Sequence, residues 1–199
     1  MKEKLSFIPK DLVSLKDYER YAKEMMDLNS WAYVCSGAGD EITYKKNEEA
    51  FKNIFLETAT LEDLKGANTK IELFGQEYNS PIFLAPVAYQ KLVDENGEIS
   101  TVLGANAMNV SMCVSSFSSS TLEDISSYAT STLWFQLYIQ PDMNINLELI
   151  KKAENLGYKA LVITIDAPIS GIRNTEQRAG FFLPDGVSAI NIENLAPFQ

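Results

Sequence analysis

Residues 111–139 read SMCVSSFSSSTLEDISSYATSTLWFQLYI. Two short apolar runs, SMCVSS (111–116) and LWFQLYI (133–139), flank STLEDISSYA (120–129), where Ser120 or Thr121 can cap a helix. A strand, a helix and a strand at this spacing make a crossover unit, and strands joined by crossover helices run parallel. Both runs carry polar side chains toward their ends: Ser115 and Ser116 on the first, Gln136 and Tyr138 on the second. A hydroxyl or amide inside such a strand is costly unless it is partnered. Its repetition at one end marks a rim where polar groups of several strands meet, or bond one another and ordered water.

The rhythm continues outward. IFLAP (82–86) reads as a strand and EISTVLGANAMN (98–109) as a helix. NINLELIKKAENLG (144–157) reads as a helix stopped by Gly157, and ALVITID (160–166) as a strand. The run Leu161–Ile165 reads as buried on both faces, with Thr164, Asp166 and then Arg173 where it surfaces. Upstream, TKIELFGQEYNSPIFLAP reads as a hairpin-like pair of short strands that bends near Gly75, with Pro81 at the start of the second. The first fifty residues read as helical. In SLKDYERYAKEMM, Ser14 and Asp17 form a variant capping box, and Leu15, Tyr18, Tyr21, Ala22 and Met25 recur at helical spacing. SGAGDE (36–41) breaks that pattern and TYKKNEEAFKNIF resumes it.

Four βα units in a row leave a doubly wound sheet or a (β/α) barrel. No G-x-G-x-x-G follows the first strand, so the dinucleotide fingerprint is missing. Polar groups stand instead at every strand's C-terminal end: Tyr89 and Gln90, Ser115 and Ser116, Gln136 and Tyr138, Thr164 and Asp166. In a barrel that face carries the active site. The expected fold class is α/β: a helical segment over 1–53, then over 54–199 the first half of a (β/α)8 TIM barrel. Closure takes about eight strands, and the sequence stops after FFLPDGVSAINIENLAPFQ. The expectation is that the rest of the barrel lies elsewhere, that two copies associate through open sheet edges, or that the fold is not a barrel.

Composition narrows the chemistry. A chain of 199 residues, 46% hydrophobic, can bury a sizeable core. A formal net charge of −10 argues against a nucleic-acid backbone or an anionic membrane surface as partner. No apolar run approaches the roughly 20 residues that span a bilayer, and the N-terminus lacks a signal-peptide pattern. Cys35 and Cys113 are far apart without metal-like spacing, which suits reduced thiols in a cytoplasmic protein. There is no histidine. A His-based triad, a His-ligated metal and a histidine base are excluded within these residues, leaving proton transfer to Asp, Glu, Tyr, Lys or a group from elsewhere.

Seven segments in order complete the picture: YVCSGAGDEITYKKNEEAF, PIFLAPVAYQKL, NGEISTVLGANAMN, VSSFSSSTLEDIS, WFQLYI, AENLGYKALVITIDAPISGIRN and FFLP. With them the chain resembles, from about Tyr18 to Pro184, the N-terminal half of the FMN-dependent α-hydroxy acid oxidases and dehydrogenases, the family of glycolate oxidase and lactate oxidase. The resemblance implies FMN as cofactor and a small 2-hydroxy acid as substrate, oxidised to the 2-oxo acid. It implies that the backbone of Pro86, Val87 and Ala88 lies against the flavin ring, and that Ser115, Gln136 and Thr164 serve the ring's polar edge. Tyr33, Tyr138 and Arg173 are implied at the substrate, and Asp166 beside a catalytic histidine. Tyr138 and Asp166 are the catalytic candidates; no metal is implied.

The residue chemistry agrees. Neutral Ser, Gln and Thr can donate or accept along a flavin edge without burying charge. Arg173 offers a planar fork to a carboxylate, and Asp166 could stabilise an imidazolium. Two plainer readings stand beside these: Asp166 and Arg173 as a loop-closing salt bridge, and Trp134 with Tyr138 as core aromatics on one strand face. The family's histidine base, its fifth-strand lysine and its phosphate site fall beyond these residues. Phe117 stands where many members have Trp or Tyr, Val87 where some have Thr, and LVDENGE lacks a common His. A half-barrel without catalysis, associating with itself or another chain, is the alternative function. A third is an α/β protein whose strand ends hold some other ligand.

Overall fold

A computed structural model describes residues 6–166, 169–193 and 195. In chain order the elements are α1 (Leu15–Met25), α2 (Leu28–Cys35), α3 (Ile42–Ala50), β1 (Ile71–Leu73), β2 (Gln76–Tyr78), β3 (Phe83–Leu84), α4 (Glu98–Met108), β4 (Ser111–Ser115), α5 (Leu122–Tyr128), β5 (Leu133–Leu137), α6 (Met143–Asn155), β6 (Leu161–Ile163), α7 (Asn174–Ala179) and α8 (Ile190–Glu193). They form two compact units: residues 1–64 with 169–182, and residues 65–168 with 183–199. Among the described residues no helix is long and apolar enough to cross a membrane, and no group of His, Cys, Asp and Glu could hold a metal ion.

The first unit is built from the N-terminal helices. At the start of α1 the Asp17 carboxylate accepts from the backbone N–H of Ser14 (2.7 Å) and from its hydroxyl (2.8 Å). At the start of α2, Asp27 accepts from Ser30 N (2.9 Å) and Ser30 Oγ (2.7 Å). Those bonds favour the carboxylate and hold the Asp27 carboxyl below its ordinary value. Its contribution is therefore complete above the ordinary carboxylate range and fades as pH falls through the depressed value. Asp27→Ala should cost about 1 kcal/mol near neutral pH. In urea unfolding the gap between parent and variant should close as the solution is acidified.

In the second unit β3, β4, β5 and β6 form one parallel sheet in consecutive order, with none of the strand-order reversal of a doubly wound sheet. The helices α4, α5 and α6 are its crossovers. Register places Leu84 beside Met112, and Val114 beside Phe135, which faces Leu161. This face packs on the helices: Val102, Leu122, Ile125 and Leu149 join Val114 and Phe135 in a core at most 1% exposed. The opposite, inner face, away from the helices, carries Phe83, Ser111, Cys113, Ser115, Trp134, Gln136 and Val162, by the same register and the alternation of side chains along a strand.

The β1–β2 hairpin turns through Phe74 and Gly75, both at positive φ (51° and 71°), as a tight two-residue hairpin turn requires. The expected bend at Gly75 forms, but the second strand is Gln76–Tyr78, and the run after Pro81 joins the parallel sheet instead. Alternation explains the shift, since Tyr78 is buried and its hydroxyl accepts from Trp134 Nε1 (3.0 Å). With Phe74 (5.6 Å) and Phe83 (4.6 Å), Tyr78 surrounds the Trp134 ring at the N-terminal end of the inner face. Trp134 is thus part of an aromatic plug.

One expectation about β6 fails. Leu161 and Ile163 are 40% and 47% exposed, not buried on both faces. In the described sheet β6 pairs along one edge, with β5, so its apolar residues gain cover from one side alone. Its regular ladder also ends at Ile163, three residues before Asp166.

Candidate functional site

At the C-terminal end of the inner face Ser115, Gln136 and Thr164 stand in one row. Ser115 pairs with Gln136 across the β4–β5 register. Thr164 lies just past β6, where its N–H donates to Leu137 O (3.1 Å). Ser115 Oγ donates to Gln136 Oε1 (3.2 Å), and Gln136 Nε2 donates to Thr164 Oγ1 (2.9 Å). Ser115 Oγ in turn accepts from Phe117 N (3.1 Å). Three adjacent parallel strands thus bring neutral donors and acceptors to one line, with Gln136 2% exposed. Cys113, two residues down the same face, is pushed up to about 11 by burial, so its thiol stays protonated and inert.

The other polar strand-end residues divide by role. Ser116 Oγ accepts from Tyr138 N (3.1 Å) and fastens β4 to β5. Gln90 turns away from the rim: its backbone N–H donates to Glu98 (3.2 Å) and its side chain accepts from Thr101. It also donates to Val87 O (3.5 Å), steadying the loop that carries Pro86, Val87 and Ala88. Pro86 and Val87 of that loop are exposed and Ala88 is half-buried. The rings of Tyr89, Phe117 and Tyr138 form a row, with centroid spacings of 6.0 and 5.0 Å. Burial, and the Glu193 carboxylate, raise the Tyr89 hydroxyl above its ordinary value. Tyr138 is 37% exposed at the open end of the row, while Trp134 occupies the far end of the same strand face.

Tyr33 and Arg173 belong to the first unit and meet there. The Tyr33 ring stacks on Phe181 at 4.5 Å. One Nη of Arg173 donates to Tyr33 O (2.9 Å) and Ser36 O (2.8 Å), carbonyls at the C-terminal end of α2 that have no intrahelical donor. The guanidinium also lies 3.6 Å from Glu176, so the ion-pair partner seen for Arg173 is its neighbour on α7. Asp166, in the second unit, is exposed in the bend after β6; Ala167 and Pro168, which follow it, lie outside the described residues.

Two buried groups escaped the sequence reading. Glu98 is fully buried and bonds across two loops. Asn191, 1% exposed, accepts from Leu122 N (3.0 Å) and donates to Ser118 Oγ (2.9 Å). A carboxylate opening an apolar helix after a glycine, as in NGEIST, was the available signal for the first. Asn191 had none, since its partners lie about seventy positions away.

Residues 22–199 match the profile of the family described as FMN-dependent dehydrogenase. The chain is 38% identical over 184 residues to a 2-hydroxyacid oxidase of Dictyostelium discoideum, covering 92% of this chain and 47% of that protein. It is 39% identical over 183 residues to an L-lactate oxidase of Alicycliphilus denitrificans, covering 92% and 50%. The crystal structure of mandelate oxidase with (S)-2-phenylpropionate superposes with a TM-score of 0.87 at 35% identity, covering 91% of this chain and 54% of that one. The chain spans about half the length of the curated relatives it matches, and its parallel sheet is part of a barrel. The match of nearly the whole sequence, with the consecutive parallel order of four strands, places the chain in the FMN-dependent dehydrogenase family.

Proposed function

We propose that this chain supplies the N-terminal half of an FMN-dependent oxidoreductase that converts a small L-2-hydroxy acid to the 2-oxo acid. The row Ser115–Gln136–Thr164 carries the proposal. It spends one N–H and one lone pair of Gln136 and one lone pair of Thr164. A glutamine side chain has two of each, and a threonine hydroxyl also donates. What remains is a neutral set of donors and acceptors, which fits the polar edge of a flavin and suits an anionic or a neutral ring equally. The backbone of Pro86, Val87 and Ala88 is the second element proposed to hold the ring.

Oxidation of a 2-hydroxy acid removes a hydroxyl proton and a carbon-bound hydrogen with two electrons, and FMN when bound supplies the two-electron acceptor. The chain's own residues are assigned around that. The Tyr138 hydroxyl binds and orients the substrate, and Tyr33 with Arg173 serves its carboxylate. With one Nη of Arg173 on the Tyr33 and Ser36 carbonyls, the part assigned to Arg173 includes holding Tyr33. Asp166 orients a histidine imidazole and stabilises its protonated form. The 199 residues contain no histidine, so in this scheme the imidazole is contributed by sequence beyond them, with the remaining barrel strands.

The test mixes the 199-residue chain with FMN, alone and with the C-terminal half of the Dictyostelium relative, and follows flavin fluorescence. The proposal expects quenching in the mixture, and bleaching of the flavin band when lactate or glycolate is added without oxygen. No quenching in either arm contradicts it. The alternative of self-association rests on the exposed apolar edge of β6. Sedimentation of the chain alone decides that point: a concentration-dependent dimer supports it and a monomer at all concentrations removes it.

A further inference from the structure

We infer that the buried Glu98 carboxylate is a positioning residue that registers the loop after β3 against the loop after β4. Its purpose rests on the flavin reading above, because those loops carry Pro86–Ala88 and Phe117; its geometry does not. Glu98 is 0% exposed. An isolated carboxylate is not tolerated at such burial, so its bonds define its place. Glu98 Oε1 accepts from the backbone N–H of Gln90 (3.2 Å) and of Ser119 (2.9 Å). The Ser119 hydroxyl lies 3.2 and 3.1 Å from the two carboxylate oxygens and itself accepts from Lys91 N (3.0 Å).

A glutamate needed only to complement the positive end of α4 could do so from the surface. Glu98 instead points inward and gathers N–H groups that no strand or helix pairs. The two loops are also joined by a backbone bond, Tyr89 N to Phe117 O (3.0 Å), and by the stacked rings of the same two residues. Tyr89 is held at φ 54°, a region a tyrosine seldom occupies unless its surroundings fix it. Gly97 lets the turn at 90–92 sit directly on the start of α4: a Cβ there would lie 2.8 Å from Lys91 Cγ and 3.2 Å from Lys91 N. Glu98 therefore fixes the segment from which Tyr89 joins Phe117 and Tyr138 in the aromatic row.

The test is residue-resolved amide exchange on the full chain, with FMN quenching in the complemented barrel as a second readout. In Glu98→Ala, exchange at Gln90 and Ser119 should rise at least about tenfold while Val114 and Phe135 keep their protection, the mark of local opening. Glu98→Gln should restore protection, because its amide oxygen can accept both N–H groups, and should restore FMN affinity with it. Unchanged exchange at Gln90 and Ser119, a uniform rise across the sheet, or equal damage in both variants would overturn the inference. So would parent-like FMN binding by Glu98→Ala with those amides open. If Glu98→Ala does not fold, Ser119→Ala takes its place: loss of protection at Lys91 supports the brace, and retained protection refutes it. A parent chain that binds no FMN would reject the flavin reading while the exchange result still judges Glu98.

Discussion

Phe135→Ala is expected to lower the unfolding free energy by about 3–5 kcal/mol, the range for deleting a buried phenylalanine. Phe135 lies in β5, a strand paired on both sides, and is 1% exposed. Its ring meets Tyr158 edge-on at 6.3 Å, and the Tyr158 hydroxyl is anchored on Leu122 O (3.1 Å). That anchoring limits collapse into the cavity, which places the cost toward the upper end of the range. Such a loss is a large share of the 5–15 kcal/mol typical of a domain. Leu161→Ala, on the same face but 40% exposed, removes less buried surface and should cost well under half as much. Urea midpoints of the two variants check the pair; equal shifts would mean that the core is not centred on β5.

Gln136→Leu carries the second large effect, and it falls on binding. Leucine matches the volume but neither accepts from Ser115 Oγ nor donates to Thr164 Oγ1. Both hydroxyls then lose their partner at the centre of the row. A buried polar group left unpaired costs about 1–3 kcal/mol, and the row proposed to meet the flavin edge loses its middle member. FMN affinity in the complemented barrel is expected to fall about 10- to 100-fold, with the far-UV spectrum unchanged. Parent-like affinity would remove Gln136 from the cofactor site and leave it a strand-to-strand fastener.

The parts of this fold legible in sequence are those fixed by local chemistry and by period. Ser14 and Asp17 announced the start of α1, and the alternation of apolar strands with helices announced parallel pairing. Ser115, Gln136 and Thr164 were legible as a set because each stands toward the C-terminal end of an apolar run, and parallel strands must bring such ends together. What failed depended on neighbours in space. An apolar run such as Leu161–Ile165 states a preference for burial, while its exposure depends on what lies beside it. Gln90 and Ser116 look like rim residues by position, yet the Thr101 hydroxyl and Val87 O engage Gln90, and the Tyr138 N–H engages Ser116. Arg173 looks like a free anion receptor in sequence, but the open carbonyls at the end of α2 take one of its Nη groups. Glu98 was hidden because a glutamate at a helix start ordinarily faces water.

The central claim is that the row Ser115–Gln136–Thr164 meets the flavin. Its most direct test follows the Gln136 side-chain NH2 resonances, assigned by their loss in Gln136→Leu, while the isotope-labelled chain with its complementing half is titrated with FMN. The account predicts that these resonances shift in step with fluorescence quenching and stop at the same end point. Saturable quenching with the Gln136 amide unmoved would contradict it.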